Sequence, residues 1–141
     1  MRAFAMLATL SVAALPGCKH EPPEQALRNT IATMQAAAES GDTDALFGPI
    51  AQDFSGSEVM DRQAFRRYVT LMRLRNARVS VTLGPIDVKL LGDRATADFS
   101  AAISGGAGLL PENAQVYEVQ TGWRMDGGKW ALISARWQPK L

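Results

Sequence analysis

The chain changes hydrophobic period once, near residue 78, and that change bounds the folds open to it. Before it, apolar side chains recur three and four apart: Leu27, Ile31, Met34 and Ala38 make one series, and Phe65, Tyr68, Val69 and Met72 another. After it they alternate singly, through Val79, Val81 and Leu83, then Ile86, Val88 and Leu90, then Ala95, Ala97, Phe99, Ala101 and Ile103. A period near 3.6 buries one stripe of a helix, whereas a period of two buries one face of a strand. Helices grouped first and strands grouped afterwards predict an α+β domain, with three N-terminal helices packed on one face of a curved antiparallel sheet. At 141 residues, 47% of them hydrophobic, the chain has material for one such core and is too apolar to stay disordered.

Local signals set the boundaries. Pro23 and Glu24 suit the first turn of a helix that runs to Ser40 and stops at Gly41. Asp42 can cap a short second helix through Leu46 and Phe47, ended by Gly48-Pro49, and Ser55-Gly56-Ser57 reads as a turn. Asp61 caps the third helix, Met60 and Phe65 have hydrophobic-staple spacing, and Asn76 closes it. Gly84-Pro85 bends the first strand pair apart, and Gly92-Asp93 makes a turn. Ser104 to Asn113 reads as a long loop before strands at Gln115–Met125 and Lys129–Trp137, which pair through Asp126-Gly127-Gly128. Trp130 and Leu132 are out of phase with Ile133 and Trp137, so the last strand reads as apolar on both faces and belongs centrally or at a dimer interface.

The N-terminus carries a separate message. Arg2 precedes the uncharged stretch Ala3–Leu15, which ends at Pro16-Gly17 and is followed by Lys19, His20 and Glu21. Crossing a bilayer takes about 20 apolar residues, so this stretch reads as a secretory signal. Leu15-Pro16-Gly17-Cys18 resembles the lipobox of bacterial lipoproteins, with Pro16 as a departure from it. The resemblance implies a lipid on Cys18 and, with Lys19 next, an outer-membrane location facing the periplasm. Val12-Ala13-Ala14 offers ordinary cleavage instead, which would leave Cys18 a free thiol. The expected organisation is a signal peptide over 1–17, a lipidated cysteine and tether over 18–23, and one domain over 24–141. Cys18 is the only cysteine, so the domain has no internal disulfide.

The residue inventory narrows the chemistry. His20, the only histidine, lies in the tether, so the domain has no histidine or cysteine for a triad, a thiolate or a metal site. Gly105, Gly106 and Gly108 lead into Leu109-Leu110-Pro111 and not into a helix, so no phosphate loop is present and no cofactor is expected. Fifteen basic against 14 acidic residues give no field for nucleic acid. Arg62, Arg66, Arg67, Arg73, Arg75 and Arg78 form either a solvated helix face or a local patch for phosphates or an acidic partner.

Carboxylates remain. An aspartate beside Tyr117 can serve as a general base, and Asp98 and Asp53 are the candidates. Asp98, however, alternates with Ala97 and Phe99 and so belongs on the outer face, where setting Ala97 opposite Trp123 makes it a diagonal neighbour of Arg124. Asp53 reads as a helix-end or turn residue. On the core side, Ala95, Ala97 and Ala101 leave volume that Phe54, Phe99, Tyr117 and Trp123 either fill, as a close-packed core, or line, as an apolar pocket.

From about Glu24 to Pro139 the chain resembles the nuclear transport factor 2-like superfamily. The carrying segments are Ser40-Gly41-Asp42-Thr43-Asp44-Ala45-Leu46, Gln52-Asp53-Phe54 and Trp123-Arg124-Met125-Asp126-Gly127-Gly128-Lys129-Trp130. The resemblance implies a cone-shaped, cystatin-like α+β barrel with a pocket at its open end, commonly dimeric through the outer face of the sheet. The superfamily includes ketosteroid isomerases, scytalone dehydratases and polyketide cyclases, but its histidine-dependent members find no match here, and fold alone does not carry activity. The resulting expectation is an exported, lipid-anchored, non-catalytic module. It would take a small apolar ligand at Phe54, Ala97, Phe99, Tyr117 and Trp123, meet the membrane through Cys18, use no cofactor, metal or nucleic acid, and pair as a homodimer. The alternatives are a carboxylate-dependent isomerase, lyase or cyclase using Asp98 or Asp53 with Tyr117, and an envelope interaction protein using the arginine face.

Overall fold

The computed structural model describes residues 20–106 and 113–140; Cys18, the stretch expected as a signal peptide and the centre of the Ser104–Asn113 stretch lie outside them. Helix α1 spans Pro23–Ser40, with proline in its first turn and Leu27, Ile31 and Ala37 buried. Gly41 ends it in the left-handed region at φ 75°, returning its N–H to the Ala37 carbonyl. Asp42 then caps α2, Thr43–Phe47, by accepting from the Ala45 N–H. Helix α3 spans Arg62–Arg75, and its Asp61 cap accepts from the Ala64 N–H at 2.7 Å.

Between α2 and α3 the chain forms a strand, β1, Ile50–Ser55, that the sequence signals do not announce. Six residues holding both Gln52 and Asp53 show no clean alternation, so no period-two signal is present. The remaining strands are β2 (Arg78–Leu83), β3 (Asp87–Leu91), β4 (Arg94–Gly106), β5 (Asn113–Asp126) and β6 (Lys129–Pro139). Both β4 and β5 run further than expected, β4 taking in Ser104–Gly106 and β5 starting at Asn113. The sheet order is β1-β6-β5-β4-β2, with β3 also on β4. Every pairing is antiparallel except β1 with β6, which is parallel, so the curved sheet is mixed and not antiparallel throughout.

β2 and β3 lie end to end along one edge of β4, pairing its residues 101–106 and 94–98 respectively. The Gly84-Pro85 bend between them is pinned by the Gly84 N–H on the Ser100 carbonyl at 2.8 Å. Gly127 and Gly128, at φ 55° and 77°, make the two-residue β5–β6 turn whose twist matches the strands.

Two expectations for the sheet need correction. Ala95, not Ala97, lies opposite Trp123, and Ala97 lies opposite Thr121. An offset of two keeps every side chain on its expected face while changing its partners. Asp98 therefore sits between Asp87 and Gln120, and Arg124 is held instead by Asp53, at 2.9 and 3.1 Å, and by Asp126 at 3.0 Å. The second correction concerns β6. Gly122 pairs with Ser134 and Trp123 with Leu132, leaving Ile133 as a bulge. The extra residue brings Trp130, Leu132, Ala135 and Trp137 to the inner side, so the strand has one apolar face and occupies an interior position between β1 and β5.

Side chains tie the helices to the sheet. Trp130 donates its indole N–H to the Pro23 carbonyl at 2.9 Å, and Gln35 reaches the Val81 carbonyl at 2.7 Å. Arg62 turns inward to the carbonyls of Phe47 (2.9 Å) and Ile50 (3.1 Å), while Arg66 lies over the Phe47 ring and pairs with Asp44. Arg62 is thus part of the α2–β1–α3 junction and not of a phosphate patch, while Arg66 flanks that junction with its side chain still 39% exposed. Arg62→Met leaves two carbonyls without their charged donor and is expected to cost about 2–3 kcal/mol in urea unfolding; a loss within about 0.5 kcal/mol would show the junction to be held by packing alone.

Candidate functional site: an apolar cavity

Strand β4 passes from a packed core into an open space. Ala95 and Ala97, 2% and 0% exposed, are sealed by the cluster that includes Leu27, Ile31, Trp123 and Trp130. From Phe99 through Ala101 to Ile103 the same face borders a cavity of about 820 Å³. Of the two readings of the small-residue strand, the packed core applies at one end and the pocket at the other. β5 supplies Tyr117, Val119, Thr121 and Trp123; β2 supplies Val79, Val81 and Leu83; and α1 closes one side with Ile31, Met34 and Gln35.

The apolar stripe of α3 faces this space. Phe65, Tyr68, Val69 and Met72 all line it, which is why Tyr68 and Met72 remain 43% and 36% exposed although the sequence predicts a buried stripe. Phe65 packs against Phe47, Phe54 and Trp137, with ring centroids at 5.3, 5.4 and 5.4 Å, and Trp137 also lines the cavity. At the inner end Thr121 donates to the Ala97 carbonyl at 2.6 Å and accepts the Trp123 indole N–H at 2.8 Å. The buried polar atoms there satisfy one another, leaving an apolar surface.

Of the residues singled out from the sequence, Phe99, Tyr117 and Trp123 line the cavity. Phe54 and Ala97 do not: Phe54 backs Phe65 from the far side, and Ala97 is covered. Met72, Arg73 and Val119 line it as well; the helical stripe marks Met72 as apolar-facing, and the sequence marks Arg73 only as one of six arginines of a solvated face or an anion patch, not as part of a pocket. Neither Asp98 nor Asp53 borders the cavity, and no carboxylate does among the described residues. Tyr117 therefore has neither candidate base beside it. No group of three or more His, Cys, Asp or Glu side chains is placed to hold a metal, and no helix is long and apolar enough to cross a membrane, among the described residues.

The shifted carboxylates lie away from the cavity. The Arg124 guanidinium hydrogen-bonded to Asp53 holds that carboxyl below its ordinary 3.8, and the same contact raises Arg124. Lys140 beside Glu118, assisted by Ser100, holds Glu118 below its ordinary 4.5. Depressed folded-state values stabilise the fold above the ordinary carboxylate range, and the contribution is lost as pH falls through the depressed values. Thermal unfolding followed from neutral pH to about pH 3 should show an acid limb that is shallower in Asp53→Asn. An acid limb identical to that of the wild type would show that Asp53 has no part in it.

No family model matches the chain, and no curated protein matches it. Solved structures do. One is the Bdellovibrio bacteriovorus protein Bd1075, with TM-score 0.74 and 11% identity over 82% of this chain; the match covers only 41% of that longer chain. An NTF2-like protein with a cystatin-like fold from Novosphingobium aromaticivorans gives TM-score 0.68 and 20% identity, covering 81% of this chain and 79% of its own. The S. rosetta CaMKII hub gives 0.74 and 21%, covering 86% and 100%. At these identities the likeness is one of architecture: this chain has the NTF2-like, cystatin-like α+β fold.

Proposed function

We propose that this protein binds a small, largely apolar molecule in the cavity between α1, α3 and the sheet. The supporting observation is that β4, packed shut at Ala97, borders open apolar volume from Phe99 onward. Ligand sites commonly hold about 300–1,000 Å³ and combine apolar walls with a few polar groups; this one is about 820 Å³, with Gln35, Arg73 and Tyr117 among its polar members. With the lipobox-like segment ending at Cys18, the reading is of an envelope lipoprotein that carries or senses such a molecule. The homodimer through the outer face of the sheet belongs to the same proposal.

The neutral dye N-phenyl-1-naphthylamine tests it. Titrated into the purified protein, the dye should give a saturable rise in fluorescence with one site per chain. A linear, unsaturable response would contradict the binding reading.

A further inference from the structure

We infer that the ligand of this cavity is an apolar monoanion, a hydrocarbon or aromatic body bearing one carboxylate, and that Arg73 is its counter-ion. This rests on the cavity reading above and deepens it. Arg73 is the one charged side chain among the described residues that line the cavity. Its Nη1 is buried and finds no acceptor among the described residues. A guanidinium N–H withdrawn from water without a partner is costly, and a carboxylate is the group that fits its planar fork.

Among the described residues no protein group pairs with that Nη1. The guanidinium lies against Gly41, where a Cβ would come within 2.5 Å of Arg73 Cζ, so the end of α1 is shaped to admit it. The carbonyl at that helix end, on Ala37, already accepts from the Gly41 and Asp42 N–H groups and from the Ser40 hydroxyl. Asp44, the acidic residue of α2, is paired with Arg66. Tyr117, Phe99 and Val119 on the sheet offer the apolar body its wall.

The test compares two chains of equal length, decanoate and decanol, as displacers of N-phenyl-1-naphthylamine at a pH where decanoate is ionised. Decanol is the more apolar of the two and would win in a neutral pocket. With Arg73 as counter-ion, decanoate should compete about tenfold better than decanol in the wild-type protein. In Arg73→Met the two should come within about twofold, while Arg67→Met, altered on the exposed side of the same helix, keeps the wild-type ratio. Should Arg73→Met fail to fold, the wild-type ratio decides, and added salt should lower it. A wild-type preference for decanol, or an unchanged ratio in folded Arg73→Met, would overturn the anion assignment and leave the cavity reading standing. Absence of dye uptake by the wild type would overturn both.

Discussion

Trp123→Ala is expected to remove about 3–5 kcal/mol of folding free energy, more than Arg62→Met or any other single substitution in the cavity wall. Trp123 is 2% exposed and stands opposite Ala95 on one side and Leu132 on the other, at the point where the β6 bulge resets the strand. Its indole N–H is also one of the two hydrogen bonds of the buried Thr121 hydroxyl, so the substitution both opens a void and loosens that polar pair. Domains of this size hold roughly 5–15 kcal/mol in all, so the variant should unfold at markedly lower urea concentration. A loss under about 1 kcal/mol would mean that the cavity already extends behind the indole and that Trp123 seals nothing.

The second large effect is a contrast between two alanines on one strand face. Ala97→Phe must push a ring into a region where Ala97 is 0% exposed, and overfilling a packed core costs about 1–3 kcal/mol or more. Ala101→Phe, further along the same face, points between Leu83 and Tyr117 into the cavity and should leave stability within about 0.5 kcal/mol of wild type. The same ring takes up ligand space, so dye affinity in Ala101→Phe should fall about tenfold or more, a change worth about 1.4 kcal/mol. Urea unfolding and dye titration on both variants separate the two effects. Equal destabilisation by the two rings would show that Ala101 also lies in packed core.

How much of this is legible in the sequence follows the physics of each signal. The faces of β4 and β5 can be read because period-two alternation is local, whereas their register depends on where the strands end, and the expected pairing of Ala97 with Trp123 is two residues off. β1 is invisible because a short strand carrying Gln52 and Asp53 shows no clean period, and its parallel partner β6 is some eighty residues away. The bulge at Ile133 turns a one-faced strand into an apparent two-faced one, since inserting a residue reverses phase without leaving any mark in composition. For the site, Phe99, Tyr117 and Trp123 are accessible from alternation alone. Arg73 is not, because its distinction from Arg62 and Arg66 lies in partners: theirs are the Phe47 and Ile50 carbonyls and Asp44, all from segments distant in sequence. Whether small residues on a strand mean packing or a pocket likewise depends on where α1 and α3 end, which no strand pattern contains.

The central claim is that the volume bordered by Phe99, Ala101 and Tyr117 is a ligand site, and a crystal structure of the protein soaked with 1-bromonaphthalene tests it most directly. A ligand site there predicts an anomalous bromine peak inside the cavity, with the ring against Tyr117 and Met72. A structure in which Tyr68 and Met72 close over the sheet, with bromine only on the surface, would contradict it.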